Sequence, residues 1–377
     1  MFYKNARIYA SDCRFHHGAF EVTADGRFGQ VLPDRIPEDA YDLEGATVIP
    51  GLVEVHSHGN SGFDFSDGDY DGLVQMARYY IACGVTSFAP ASMTLPYEVL
   101  EKAFVAARKL VEEAPAGCAK LRGIHMEGPY FSYKKRGAQN PEYLKEPDFE
   151  GFQKLYEASG GLVRIVDVAP ELPGSTDFIR RASKLCTVSI AHTDCDYEQA
   201  KTAIAAGVTH LTHLYNAMPA IGHRNPGVIP AAAECPRVRA ELICDGLHAH
   251  PAAVRLAFAM FGAERMILVS DSGRCAGQDD GTEFDLGGQK AKVVGGVARL
   301  RDGTIACSAT NLWQCLRNAI SFGIGEEAAI RACTINPAAS LGVQGTVGSI
   351  ATGRQADFVV CSPDYAKKRV YLAGKLV

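Results

Sequence analysis

Eight short apolar runs alternate with alanine-rich stretches along most of this chain, and that alternation restricts it to a parallel α/β fold. The runs end near His58, within Thr86–Met93, at Glu127, within Val163–Glu171, at His192, at His213, within Leu242–His248 and at Asp271. Between them, residues 70–83, 95–113, 149–159, 175–185, 197–206 and 251–261 carry apolar side chains at helical spacing and predict six helices. Strands in this number suit a TIM-like (β/α)8 barrel, expected over residues 51–345. In such a barrel the catalytic groups come from the C-terminal ends of several strands.

What those strand ends carry narrows the chemistry. Val53-Glu54-Val55-His56-Ser57-His58 closes an apolar run with two histidines spaced i, i+2, which in a strand point the same way. Neutral imidazole is a good ligand for zinc and its first-row neighbours. An isolated pair of this kind is as often two surface histidines in a turn. The other strand ends alter that balance. Leu121–Glu127 delivers a carboxylate before a Gly-Pro break, so Glu127 is placed to ligate or bridge metals; Thr187–His192 and Gly207–His213 are β-branched runs ending in histidine. Arg265–Asp271 places an aspartate after a very apolar run, where a buried carboxylate is costly unless paired. Capping the following helix is the ordinary role of such an aspartate. Here it stands among other strand ends that supply metal-type groups, as a water-activating site requires.

The flanks differ in texture. Residues 1–50 and 346–377 read as short strands with turns, and neither segment alone buries much. Together they predict a small, discontinuous β-sandwich domain, with the strands of 356–360 and 370–377 set against Tyr3–Ala10. At 377 residues and 47% hydrophobic content, the chain can bury a barrel core and one small domain. A net charge of -5 leaves no basic footprint for nucleic acid, and Lys134-Lys135-Arg136 is no longer than an ordinary solvated loop. Neither a signal peptide nor a membrane span is visible, so a cytoplasmic protein is expected. The twelve cysteines form no Cys-x-x-Cys pair and read as small buried hydrophobes. Cys195 and Cys307, the latter in an expected glycine-bearing loop, lie where they can line the site, with no activating partner in view.

Five segments together resemble the amidohydrolase superfamily and, within it, the deacetylases of amino-sugar phosphates, over essentially the whole chain. They are Pro50–Gly59, His125–Tyr130, Ala191-His192-Thr193, Thr212–Met218 and Asp245-Gly246-Leu247-His248. Asn336–Ala339 and Gly353–Asp357 match the superfamily's return from barrel to sandwich. The resemblance implies removal of the acetyl group from N-acetyl-D-glucosamine 6-phosphate, giving D-glucosamine 6-phosphate and acetate, in amino-sugar catabolism. It implies one or two divalent metal ions per subunit, zinc foremost, with iron, manganese or cobalt compatible with the same ligands. Glu127, His192 and His213 are the implied ligands of the principal ion, and His56 and His58 help hold a second. Glu127 takes the place of a bridging lysine that the fourth strand lacks. Asp271 is the expected general base and acid, taking a proton from the metal-activated water and returning it to the leaving amine.

For substrate, the resemblance points to Asn216, Ala217, Arg224 and His248. Arg224 suits a phosphate clamp on chemical grounds as well. Ala138, Gln139, Ile305, Ala306 and Cys307 fall near the expected sugar pocket. Gln139 stands where many relatives have histidine, and Cys307 where glycine is expected. A homodimer is implied, with phosphate contacts crossing between subunits. His210 has opposite strand parity to His213, so only one is expected to face the barrel; His125 is expected behind the site, and His16, His17, His223 and His250 on loops or surface. Two other readings are compatible with parts of this pattern. A deaminase or a different N-acyl or cyclic-amide hydrolase of the same superfamily shares the barrel and metals but needs no phosphate loop. A non-catalytic scaffold relative would have lost ligands, and all six groups are present here.

Overall fold

The computed structural model describes residues 1–377. Parallel strands β1 (Leu52–Glu54), β2 (Val85–Phe88), β3 (Ile124–Met126), β4 (Val163–Val168), β5 (Thr187–Ile190), β6 (His210–Leu211), β7 (Arg239–Ile243) and β8 (Met266–Val269) follow one another along the chain. β3 to β8 form one continuous parallel sheet in sequence order, while β1 and β2 pair in a second, extended by Lys120–Leu121. The sheets meet twice. Ala91 bridges His125 in parallel, and at the opposite edge the Asp271 N–H donates to the His56 carbonyl at 2.9 Å. The parallel sheet is thus curled, with its edges within reach of each other.

Helices pack back on the strands through apolar faces. They are α1 (Tyr70–Ala82), α2 (Tyr97–Glu113), α3 (Phe149–Ala158), α4 (Ser175–Ala182), α5 (Tyr197–Ala206), α6 (Val228–Ala233), α7 (Pro251–Phe261), α8 (Leu312–Ser321), α9 (Glu326–Cys333) and α10 (Ile335–Ser340). Of these, α1, α3, α5, α7 and α8 also carry a side-chain N-cap. Asp196 and Gln199 form a capping box at the start of α5, and Gly207 ends that helix. Six of these helices lie where periodicity places them, and α5 and α7 match to the residue. The main apolar core lies between the outer strand faces and these helices. A smaller cluster fills the inside of the curled sheet, where Val53, Val55, Ile165, Ile243, Ile267 and Val269 meet Ala338 and Leu341 from the α10 end.

The two termini share one sheet. Its strand order is Lys375–Leu376, Lys368–Leu372, Phe358–Cys361, Thr47–Pro50, Phe2–Tyr9, Phe15–Val22, Phe28–Val31, with Tyr41–Asp42 also beside Phe2–Tyr9. The expectation that the tail strands lie directly against Tyr3–Ala10 is corrected here. Phe358–Cys361 pairs antiparallel with Thr47–Pro50, which alone separates the tail from the first strand. Tyr3, Phe20, Phe28, Phe358 and Tyr371 pack there as one aromatic core drawn from both ends of the chain.

A second departure from the sequence reading follows β8. Glu283–Leu286, Gln289–Val294, Val297–Leu300 and Ile305–Ser308 form a four-stranded antiparallel sheet, where only a glycine-bearing loop was expected around residue 307. Its Gly-Gly turns are a hairpin signature that exposed, charge-rich strands obscure. No helix of the molecule is long and apolar enough to cross a membrane.

Candidate active site

The polar residues at the ends of the parallel strands converge on one cavity of about 240 Å³. Glu127 follows β3 directly. Behind it Gly128 turns the chain at φ 96°, where an added Cβ would lie 2.2 Å from the Thr94 hydroxyl oxygen, so only glycine fits. His192, His213 and Asp271 each lie two residues past a strand, at φ 44°, 29° and 46°. Left-handed backbone is uncommon outside glycine, and strain of this kind gathers at functional sites.

That left-handed step breaks strand alternation. Thr212 donates to Asp167 Oδ1 at 2.9 Å, and the next residue, His213, still lines the cavity. The parity expectation for His210 is therefore wrong. His210 also faces inward, its Nδ1 3.2 Å from the Ser189 hydroxyl and 3.8 Å from Glu241 Oε1.

Glu127, His192 and His213 make a compact triangle. Glu127 Oε1 lies 3.1 Å from His192 Nε2 and 3.1 Å from His213 Nε2, and the two ring nitrogens are 3.1 Å apart. A tetrahedral zinc ion with ligands at ~2.0–2.1 Å has ligand–ligand edges of roughly 3.3 Å, so one such ion fits with little movement. A second cluster adjoins it. His58 Nε2 lies 3.1 Å from Glu127 Oε2 and 3.3 Å from Asp271 Oδ1, and His56 Nε2 is 3.7 Å from the same Asp271 oxygen. His56 Nε2 and Asp271 Oδ1 are buried without a hydrogen-bond partner, which is costly unless a cation meets them. Both donor sets therefore suit a divalent ion, with Glu127 touching each.

The far sides of the rings orient them. Nδ1 of His192 faces the Lys135 carbonyl at 2.9 Å, Nδ1 of His58 the Ala91 carbonyl at 3.2 Å, and Nδ1 of His56 the Glu241 carboxylate at 2.7 Å. Each acceptor holds the proton on Nδ1 and leaves the Nε2 lone pair for a metal. His125 lies behind the site as expected, between the Val55 carbonyl and Asp167, both at 3.0 Å.

Without a cation the carboxylates hold protons on the imidazoles, which a metal ion would displace. Burial favours neutral forms, but the Glu127 and Asp271 carboxylates raise His58 to about 10. The same pairings hold Asp271 below the usual carboxylate range despite its burial, through His56 and His58. Glu241 is burdened by burial yet lowered to about 2 by His56 and His125. Glu54, which accepts the N–H groups of His56 and Ser270, is pushed up to about 7 by burial.

Most residues picked from sequence reach the cavity. His58, Glu127, His192, His213 and Asp271 line it with Ala138, Gln139, Asn216, Ala217, His248, Ile305 and Ala306. His56 sits just beneath, fully buried. Besides His56, two residues do not line it. Cys307 is fully buried in the Ile305–Ser308 strand, its sulfur 3.9 Å from that of Cys275 and pressed on Gly273, where an added Cβ would lie 2.2 Å away. Arg224 is exposed on the loop beyond Ala217, outside the lining. Met93, Gly137 and Thr304 also line the cavity, with no signal in the sequence. The supporting carboxylates Glu241, Asp167 and Asp245 were missed too; a charged residue inside an apolar strand, as in Arg239-Ala240-Glu241-Leu242-Ile243, is the signal that finds the first. A wider concavity of about 510 Å³ on the outer hairpins, between Phe284, Lys290, Lys292 and Arg299, contains no cluster of metal-type ligands. The chemistry therefore belongs to the smaller one.

Known proteins share this fold. Residues 47–377 match the model of the amidohydrolase family. The chain is 37% identical over 349 residues to an N-acetylglucosamine-6-phosphate deacetylase of Bacillus subtilis (strain 168), covering 90% of this chain and 88% of that protein. It is 31% identical to an N-acetylgalactosamine-6-phosphate deacetylase of Escherichia coli O157:H7, covering 94% and 93%. Among solved structures, a mutant N-acetyl-D-glucosamine-6-phosphate deacetylase from Mycobacterium smegmatis, in complex with N-acetyl-D-glucosamine-6-phosphate, superposes with a TM-score of 0.93. It is 32% identical, and the match covers 100% of this chain and 98% of that one. By the family match and these relatives, the chain belongs to the amidohydrolase family.

Proposed function

We propose that this protein hydrolyses the acetamide of N-acetyl-D-glucosamine 6-phosphate to D-glucosamine 6-phosphate and acetate. The observation that carries the reading is the pairing of two metal-competent clusters with a free aspartate oxygen in one cavity, in a chain whose relatives carry that activity. Glu127, His192 and His213 would hold the principal ion, with His56 and His58 helping to hold a second, and zinc suits this donor set best. When bound, the metal polarises the acetyl carbonyl and makes water a stronger acid. Asp271 does the proton work. Its Oδ1 lacks a donor and its carboxylate stays ionised, so it accepts the proton of the attacking water and returns it to the departing amine. His248 is held by Asp245, Nδ1 to Oδ2 at 2.6 Å, which raises its basicity and leaves Nε2 to donate to the sugar. Asn216, Ala217, Ala138, Ile305 and Ala306 would complete the sugar pocket.

Arg224, exposed and without an ion-pair partner, is free to meet the phosphate, in its own subunit or across a homodimer. The reading includes a closed (β/α)8 barrel over residues 51–345 carrying the catalysis, and a smaller β-sandwich domain built from 1–50 and 346–377. Twelve free thiols agree with a reducing, cytoplasmic setting. The test is acetate release from N-acetylglucosamine 6-phosphate, its galactosamine epimer and unphosphorylated N-acetylglucosamine. Preference for the first supports the reading, and equal turnover of the unphosphorylated sugar contradicts it. Preference for the epimer keeps the reaction and changes the substrate.

A further inference from the structure

The geometry assigns Gln139 to the metal centre as a positioning residue for Glu127, a role distinct from a contact to sugar. Its side chain is 4% exposed and engaged at both ends. The amide nitrogen donates to Glu127 Oε2 at 3.0 Å, and the amide oxygen accepts the Thr94 N–H at 2.8 Å. This pairing fixes which end of the amide faces which partner. It also sets the rotation of the Glu127 carboxylate, because Oε2 is held towards Gln139 and His58 while Oε1 is left towards His192 and His213.

The neighbouring backbone repeats the device. The Lys135 carbonyl holds Nδ1 of His192, so residues 135–139 steady two of the three corners of the principal triangle. That segment is itself anchored to the outer hairpins, where Gln289 donates to the Ala138 carbonyl at 2.6 Å and Asn140 to the Gly287 carbonyl at 3.2 Å. Partners that orient a ligand in this way typically change metal affinity about 10–100-fold when removed.

The inference rests on Glu127, His192 and His213 being metal ligands, and it is tested without substrate. Gln139→Ala and Gln139→Met are purified beside wild type and loaded with zinc. Zinc retained per chain is then followed by elemental analysis during challenge with a chelator, with folding checked by near-ultraviolet circular dichroism. Alanine leaves a void and methionine fills it, so a shared effect reports the lost amide. Both variants are expected to bind zinc about 10–100-fold more weakly, with KM for the acetylated sugar phosphate little changed. Wild-type zinc retention in either folded variant, with or without a raised KM, overturns the assignment. Weakened retention in a protein that releases no acetate would sustain it while removing the proposed reaction.

Discussion

Replacing Asp271 by asparagine isolates proton transfer from everything else the residue does. The backbone of Asp271 is tied on both sides, its N–H to the His56 carbonyl at 2.9 Å and its carbonyl to the Ser308 N–H at 2.8 Å, and asparagine preserves both bonds. The side chain is nearly isosteric, and Oδ1 has no donor to lose. Asp271 is also outside the Glu127–His192–His213 triangle, so the principal ion should stay. What disappears is a carboxylate able to take and return a proton, a contribution of typically 10²–10⁴ in rate, or roughly 3–5 kcal/mol of barrier. The expected result is a loss of that size in kcat for acetate release, with the principal ion retained.

The pH profile sharpens this. Burial raises the Asp271 carboxyl, but the His56 and His58 charges outweigh burial and lower it below its ordinary value. Those charges are protonated imidazoles in the metal-free protein, and a bound cation in their place acts in the same direction. The base form therefore persists below the ordinary carboxylate value near ~3.9, and the acid limb due to this group lies there. A variant retaining kcat within about tenfold of wild type, with metal bound, would refute the assignment of Asp271 as the base. A fall in rate matched by equal loss of metal would make it a ligand instead.

Glu241→Gln, studied in metal-stripped protein, tests the supporting network. The native carboxyl is lowered from 4.5 to about 2, so it contributes stability that is fully present above ~4.5 and is lost as pH falls towards ~2. The shift corresponds to a contribution on the order of 2–4 kcal/mol. The stability gap between wild type and variant in urea should narrow over that window, and a gap independent of pH would contradict the charge pairing with His56 and His125. Arg224→Ala should raise KM for the phosphorylated sugar by an amount worth about 1.5–3 kcal/mol, with kcat little changed, since a charged hydrogen bond to a bound phosphate is lost. An unchanged KM places the phosphate elsewhere.

Much of this was legible from sequence because strand ends and helix periodicity obey local rules. Tyr197–Ala206 and Pro251–Phe261 carry their own caps and stripes, so both helices were placed to the residue. Glu127 and Asp271 were found because a carboxylate that ends an apolar run needs a partner. What failed depended on backbone beyond the strand. The two-residue alternation holds only while the strand continues, and β6 ends at Leu211, so His213 at φ 29° escapes the parity that excluded His210. The same limit hid the Ile305–Ser308 strand, where Cys307 turns into the protein while Ile305 and Ala306 face the cavity. Gln139 was assigned to the sugar pocket because it stands where many relatives have histidine, and it does line the cavity. Its hydrogen bonds to Thr94 and Glu127 span 45 and 12 residues and leave no local trace.

The most direct test of the central claim is acetate release from N-acetylglucosamine 6-phosphate by protein stripped of metal and then titrated with zinc. The account predicts no turnover when stripped and recovery that saturates at one or two ions per chain. It also predicts that the variant with Glu127, His192 and His213 all replaced by alanine stays inactive at every zinc level. Full turnover in the stripped protein, or recovery in the triple variant, would contradict it.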